Sequence, residues 1–128
     1  MIYLDTSVAL AHLLAEDRFP SNAFWENTLV SSRLLEYELW TRINARRLAS
    51  SHGEHARALI GRVALLELVP FVLERALEPF PLPVRTLDAL HLASMHFIRE
   101  CGQEVHLASY DERLVAAARG IGIEPLAL

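Results

Sequence analysis

Short apolar runs alternate with segments of helical hydrophobic spacing along most of the chain. The first apolar run, Ile2 to Leu4, predicts a buried strand, and the segment from Thr6 to about Ala15 follows it with helical spacing. The same patterns predict strands at 29–30, 105–109 and 121–126, a short strand or extended link at 68–71, and helices at 20–28, 33–48, 54–66, 72–78, 85–101 and 110–120. This alternation is typical of α/β proteins, so we predict one three-layer domain over residues 1–128, with a short, mostly parallel central sheet flanked by helices.

Glycine and proline mark the predicted breaks between these elements. Residues 50–53 are expected to form a loop, and Gly102 is expected to end the helix before it. Pro70 lacks a backbone N–H, which indicates an edge position for the strand at 68–71. The prolines between Pro79 and Pro83 predict an irregular connection.

Composition limits the class of protein. The chain has 128 residues, of which 52% are hydrophobic and 22% charged, as expected for one globular domain with a substantial core. Its uncharged runs are shorter than the roughly 20 residues of a membrane-spanning helix. The first residues lack the basic region of a signal peptide, so we expect a cytoplasmic protein without a membrane partner.

The charged residues narrow the chemistry. The net charge of −4 argues against a protein that holds nucleic acid through a bulk positive field. All twelve basic residues are arginine, which excludes reactions that need a catalytic lysine. Of the sixteen acids only four are aspartates, and three of these fall at predicted element junctions: Asp5, Asp88 and Asp111.

These three aspartates are candidates for one site. Asp5 and Asp111 follow predicted strands, and Asp88 lies in the first turn of a predicted helix. Each has a simpler structural explanation as a helix cap or as a partner of the helix dipole. However, the ends of neighbouring parallel strands lie close together, and clustered carboxylates need a cation between them. Mg²⁺ or Mn²⁺ prefers such oxygen ligands, and the reaction suggested is hydrolysis of a phosphodiester by metal-activated water.

Four segments resemble the motifs of the PIN-domain nucleases: LDTSV, SSRLLEYEL, RTLDALHLA and SYDERLVAAARGIGI. Their order and spacing are similar to those of the VapC-type toxins of toxin–antitoxin pairs. The resemblance implies a small PIN-like α/β domain with Mg²⁺- or Mn²⁺-dependent endoribonuclease activity. Glu38 is expected to be the fourth acid rather than Glu36, because the family acid lies four residues after the leucine that follows the serine pair, here Leu34. The catalytic and metal-binding acids implied are Asp5, Glu38, Asp88 and Asp111.

Neighbouring residues have both functional and structural interpretations. The resemblance implies that Thr6 orients the first acid or a water on the metal, whereas a threonine is also ordinary at a helix start. Ser109 matches a family hydroxyl before the last acid, or is simply a strand-end hydroxyl. His91 is one turn from Asp88, and its apolar surroundings indicate a packed, hydrogen-bonded core histidine.

The resemblance also implies partners, namely an RNA substrate, a cognate antitoxin and a second copy of the chain. The helices at 33–48 and 54–66 carry more apolar residues than one small sheet can cover, and in the resembled family this region packs against the second copy and the antitoxin. Candidate RNA-backbone contacts, which have a solvated helix face as their alternative, are Arg33, Arg42, Arg46 and Arg47.

Two other classes of α/β protein fit the sequence less well. A receiver domain requires a late lysine, which the chain lacks, and a haloacid-dehalogenase-like phosphatase requires a second aspartate where Ser7 stands. A PIN-like module that binds protein or RNA without nuclease activity remains the alternative.

Overall fold

A parallel sheet of four strands lies at the centre of the computed structural model, which describes residues 1–128. The strands, in chain order, are β1 (Ile2–Leu4), β2 (Leu29–Ser32), β3 (Val63–Leu66) and β4 (His106–Ala108). Their order across the sheet is β3-β2-β1-β4, and every pairing is parallel. The carboxyl ends of all four strands therefore share one edge of the sheet, with β1 and β4 side by side.

Six α-helices flank the sheet. They are α1 (Thr6–Leu13), α2 (Leu34–Ala45), α3 (Ala49–Gly61), α4 (Pro70–Ala76), α5 (Thr86–Glu100) and α6 (Glu112–Gly120). None of them combines the length and the apolar content that crossing a membrane requires. The strands and helices confirm the predicted α/β fold.

The core divides into two clusters, one on each face of the sheet. Ile2 and Leu4 of β1 pack in a cluster with side chains of α1, α2 and α3, whereas Tyr3 packs in a second cluster with side chains of α5 and α6. Alternate side chains of a strand point to opposite faces, so β1 contributes to both clusters and is buried throughout. This arrangement gives the three layers that the sequence predicts.

The predicted loop at residues 50–53 is wrong, because α3 already begins at Ala49 and contains Gly53. Glycine lowers helix propensity, which is why the sequence pattern indicated a break. Here α2 and α3 pack so closely that a Cβ atom at Gly53 would lie 3.3 Å from the ring of Trp40. The glycine therefore serves helix packing rather than a turn.

Of the two predictions for 68–71, the strand is wrong and the extended link holds up to Val69, after which Pro70 begins α4. The third strand is β3, which pairs with β2 from Val63 opposite Leu29 to Leu66 opposite Ser32. The sequence pattern places residues 63–66 at the end of a predicted helix at 54–66, because periodicity alone does not distinguish helix from strand in a short apolar run. Pro70 is the first residue of α4, where its missing N–H costs nothing.

Two further elements are shorter than predicted. The helix expected at 20–28 is a 3₁₀ segment, Asn22–Glu26. The final strand expected at 121–126 is reduced to a single bridge between Leu107 and Pro125. Neither change alters the edge of the sheet where β1 and β4 end.

Candidate active site

A cleft of about 1230 Å³ opens beside the ends of β1 and β4, between α1, α2 and α5. All four predicted acids line it: Asp5, Glu38, Asp88 and Asp111. They come from four separate places in the chain, and the topology of the sheet brings them to one cleft.

Asp5 follows β1 directly and is only 7% exposed. Its Oδ2 atom accepts hydrogen bonds from the Ser7 hydroxyl at 2.6 Å, from the Ser109 hydroxyl at 2.7 Å and from the backbone N–H of Ser7 at 3.4 Å. Asp5 is therefore the N-cap of α1 and a cleft acid at once, so the two interpretations of this residue do not exclude each other.

Two serine hydroxyls join the end of β1 to the end of β4. Besides donating to Asp5, the Ser109 hydroxyl accepts from the backbone N–H of Asp111, and the Ser7 hydroxyl accepts from that of Tyr110, each at 2.9 Å. Ser109 is therefore hydrogen-bonded to both Asp5 and Asp111 and fixes their positions relative to each other. Ser7 was not among the predicted site residues, although a hydroxyl two residues after an acid at a helix start was a usable signal.

Asp88 is the acid of the cleft whose negative charge is disfavoured by its surroundings. Its side chain is 16% exposed, and burial raises the pKa of its carboxyl, with the negative charges of Asp111 and Asp5 raising it further. The Arg85 guanidinium opposes this shift from 3.7 Å. Arg85 was not predicted, although it lies three residues before Asp88 on the sequence. A cation in the cleft would relieve the repulsion between these carboxylates.

Asp111 is the N-cap of α6. Its Oδ1 atom accepts from the backbone N–H groups of Arg113 and Leu114, at 3.0 and 3.3 Å. The capping interpretation of this residue therefore also holds, and it leaves the second carboxylate oxygen without a hydrogen bond from the protein.

Glu38 lines the cleft and Glu36 does not. The Oε1 atom of Glu38 is 2.5 Å from Nε2 of His91, whereas Glu36 pairs with Arg33 at 3.3 Å. His91 is buried and hydrogen-bonded as predicted, but its partner is one of the predicted site acids. Burial lowers the pKa of His91, and this is outweighed by the hydrogen bond and charge of Glu38 together with the charges of Asp5 and Asp88, so the net shift is upward.

One pattern unites three of these acids. Asp5, Glu38 and Asp111 each have one carboxylate oxygen held by the protein and a second that accepts no hydrogen bond from it. Such carboxylates are oriented but retain a free ligand atom for whatever occupies the cleft.

The hydroxyl of Thr6 is a further free group. Thr6 is buried at the edge of the cleft, and its Oγ1 atom has no hydrogen-bond partner. An unpaired buried hydroxyl is costly, so a polar occupant of the cleft would compensate for it.

The donor set fits a hard divalent cation. No group of three or more His, Cys, Asp or Glu side chains is placed so that it could hold a metal ion by itself. Mg²⁺ does not need such a group, because it keeps several waters and binds through one or two carboxylates plus substrate phosphate. The absence of cysteine from the cleft and the oxygen-rich lining make the cleft unlike a zinc site.

Basic side chains surround the acids, but they are not all the predicted ones. Arg33 and Arg47 do not line the cleft, and Arg33 pairs instead with Glu67 and Glu36, so their contact with RNA stays a prediction. The arginines that do line the cleft are Arg18, Arg42, Arg46 and Arg85. The guanidinium of Arg18 also lies 4.6 Å from the centre of the Tyr110 ring.

Residues 2–120 match the family model of the PIN domain. The chain belongs to the PIN domain family. This PIN domain is 30% identical over 129 residues to Ribonuclease VapC47 of Mycobacterium tuberculosis (strain CDC 1551 / Oshkosh), an alignment that covers 95% of the chain and 93% of that protein.

A solved structure shares the fold. The crystal structure of Mycobacterium tuberculosis VapC20, a sarcin-ricin loop cleaving toxin, matches this PIN domain with a TM-score of 0.66 at 21% sequence identity. The match covers 91% of this chain and 95% of VapC20. The family resemblance and the fold predicted from the sequence are both confirmed.

Proposed function

We propose that this PIN domain is a metal-dependent endoribonuclease and the toxin of a toxin–antitoxin pair. The observation that carries the proposal is the cleft itself, in which the predicted acids converge and three of them present a free carboxylate oxygen. The relatives named as a ribonuclease and as a sarcin-ricin loop cleaving toxin support RNA as the substrate. They also favour cleavage over the alternative of a binding module without activity.

Mg²⁺ or Mn²⁺ is the proposed cofactor. The residues proposed to contact it, one or two directly and the others through its bound waters, are Asp5, Glu38, Asp88 and Asp111. When bound, such an ion would supply activation of water for attack on phosphorus and neutralisation of the charge that develops on the phosphodiester.

The protein's part in the reaction is orientation. Ser7 and Ser109 fix the carboxylate of Asp5 through its Oδ2 atom, and the start of α6 fixes that of Asp111 through its Oδ1 atom. Carboxylates that are already oriented need little rearrangement when substrate arrives.

Single-stranded RNA is the expected substrate form, because unpaired segments can place a phosphodiester in a cleft lined by acids. Since the net charge is −4, RNA must be held by local contacts rather than by a bulk field. The arginines at the rim, Arg42 and Arg46 among them, are suited to contact the phosphates on either side of the cleaved bond.

Cleavage of a single-stranded RNA by the purified protein tests the proposal. We expect cleavage with Mg²⁺ or Mn²⁺, none in EDTA, and loss of cleavage in Asp88→Asn. Glu124→Gln changes an exposed acid outside the cleft and should remain active. Undiminished cleavage after chelation, or an active Asp88→Asn, would reject the metal mechanism.

A cognate antitoxin is the proposed protein partner. The acidic cleft suits a basic side chain, which would replace the charge of the cation and block the site. Inhibition by such a partner should weaken as salt is raised.

We also propose a homodimer, but on a different surface from that predicted. On α2 and α3, Tyr37 is the one large apolar side chain that is mostly exposed. Four of the nine exposed large apolar side chains lie instead on α4 and the loop after it, namely Phe71, Leu73, Leu77 and Leu82. Grouped apolar exposure of this kind is typical of protein interfaces.

A further inference from the structure

Three polar side chains from three different elements form a chain that leads from the sheet to the cleft. The hydroxyl of Tyr3 on β1 is 2.7 Å from Nδ1 of His91 on α5, and Nε2 of His91 is 2.5 Å from Oε1 of Glu38 on α2. Tyr3 is fully buried and His91 is 2% exposed, whereas the side chain of Glu38 is 24% exposed. These two hydrogen bonds thus connect Tyr3 in the interior of the protein to Glu38 at its surface.

The chemistry of the groups sets the direction of these hydrogen bonds. An ionised carboxylate only accepts, so Nε2 of His91 carries the hydrogen that it donates to Glu38. In the neutral imidazole, Nδ1 then accepts from the Tyr3 hydroxyl, which selects this tautomer.

Packing alone does not explain the arrangement. A buried imidazole and phenol must be desolvated, and apolar side chains of similar volume would fill the core without that cost. Glu38, by contrast, is a long side chain at the edge of a cleft and would otherwise sample several rotamers. Its partner His91 lies on a helix whose inner face is buried, and Tyr3, the partner of His91, lies on a buried strand.

We propose that Tyr3 and His91 are positioning residues that hold the Glu38 carboxylate by Oε1 and leave Oε2 available to the cleft. The inference rests on the proposed function and deepens it, since it explains how one of the four acids is oriented. Ser7 and Ser109 do the same for Asp5, but from the ends of β1 and β4 rather than from the core.

The first test compares His91→Leu with His91→Gln. Leucine removes the donor, and we expect Mn²⁺ affinity, measured by calorimetry, to fall on the order of 10-fold, with a lower kcat and a nearly unchanged KM for RNA. Glutamine can place an amide N–H near the position of Nε2, so it should recover part of both losses. Tyr3→Phe keeps the ring but frees Nδ1, and should cause a smaller loss than His91→Leu.

Met95→Ala is the matched control. Met95 is fully buried on the same helix as His91 and belongs to the same core cluster as Tyr3. It takes no part in the hydrogen bonds that link Tyr3, His91 and Glu38. It should lower the melting temperature without changing Mn²⁺ affinity. If His91→Leu lowers Mn²⁺ affinity no more than Met95→Ala does, the positioning role is overturned.

A second measurement does not depend on metal or RNA. In ¹H–¹⁵N spectra of the metal-free wild type, we expect a slowly exchanging Nε2–H signal from His91 that disappears in Glu38→Leu. Absence of this signal, or its persistence in Glu38→Leu, would overturn the proposal even in an active enzyme. A wild type that shows the signal but neither binds Mn²⁺ nor cleaves RNA would instead overturn the proposed function.

Discussion

Ser109 donates a hydrogen bond of 2.7 Å to Asp5, a residue 104 positions earlier in the chain. The same hydroxyl accepts the backbone N–H of Asp111 at 2.9 Å, so one small side chain ties the first acid of the cleft to the last. The contact exists because β1 and β4 are neighbours in the sheet and end at the same edge.

Ser109→Ala should lower both stability and activity. It removes the donor to a buried carboxylate and the acceptor of a backbone N–H, which should reduce the free energy of unfolding by about 1–3 kcal/mol. Urea unfolding in EDTA and RNA cleavage in Mn²⁺ measure the two effects. Ser51→Ala removes an exposed hydroxyl that donates to the Leu48 carbonyl, and it should change neither. Equal behaviour of the two variants would contradict the role given to Ser109.

Asp88→Asn should make the metal-free protein more stable. The substitution removes a partly buried charge that Asp111 and Asp5 repel, and we expect a melting temperature in EDTA higher by roughly 2–4 °C. Excess Mn²⁺ should stabilise the wild type more than the variant.

Asp5→Asn is the matched comparison. The Oδ2 atom of Asp5 accepts three hydrogen bonds, which are stronger to a carboxylate than to a neutral amide, so this substitution should bring no such gain. If Asp5→Asn stabilises the metal-free protein and Asp88→Asn does not, the repulsion has been assigned to the wrong acid.

The raised pKa of Asp88 predicts that the difference in stability between the wild type and Asp88→Asn depends on pH. Because the folded state binds this proton more tightly than the unfolded state, the wild type in EDTA should lose stability relative to Asp88→Asn as pH rises from 3.8 through the raised pKa. The raised pKa of His91 acts in the range above 6.5, so the scan is kept below pH 6. A difference in melting temperature that is constant from pH 4 to 6 would be inconsistent with the raised pKa. Mn²⁺ competes with the same proton, so its affinity should fall as the pH is lowered through this range.

Arg42→Ala and Arg46→Ala should weaken RNA binding, whereas Arg33→Ala should not. The first two arginines line the cleft, and the third is paired with Glu67 and Glu36. Removing one arginine that binds a phosphate should reduce the slope of log affinity against log salt by roughly 0.7 for single-stranded RNA. Binding to RNA at several salt concentrations, measured with Asp88→Asn as the inactive background, gives the slopes. An Arg33→Ala slope as low as that of Arg42→Ala would place the RNA on another path.

Leu77→Glu should abolish dimer formation. Leu77 is 87% exposed on the surface that we propose for the homodimer, and a charge there would have to be buried on association. Light scattering at micromolar concentration should give a dimer mass for the wild type and a monomer mass for the variant. Phe19→Glu makes a comparable change at another exposed apolar residue and should remain dimeric. A wild type that is monomeric at every concentration would end the dimer proposal.

Local pattern was sufficient for the elements whose side chains repeat with a clear period. The buried run before Asp5, the helix that carries Asp88 and the N-cap position of Asp111 can all be recognised from neighbouring residues. Together with the strand–helix alternation, they predict an α/β fold and an acidic site at the strand ends. The resemblance in the four motifs added Glu38.

The tertiary structure alone decided what depends on residues far apart in the chain. The run from Val63 to Leu66 is a strand because it pairs with β2, although its own pattern suits a helix equally well. Arg33 pairs with Glu67, which is 34 positions later in the sequence, and does not line the cleft. Glu38 meets His91, and His91 meets Tyr3, across separations of 53 and 88 residues, since α2, α5 and β1 pack together only in the folded state. Sequence periodicity reports which face of an element is apolar, but the partner of a polar side chain is set by the packing of whole elements.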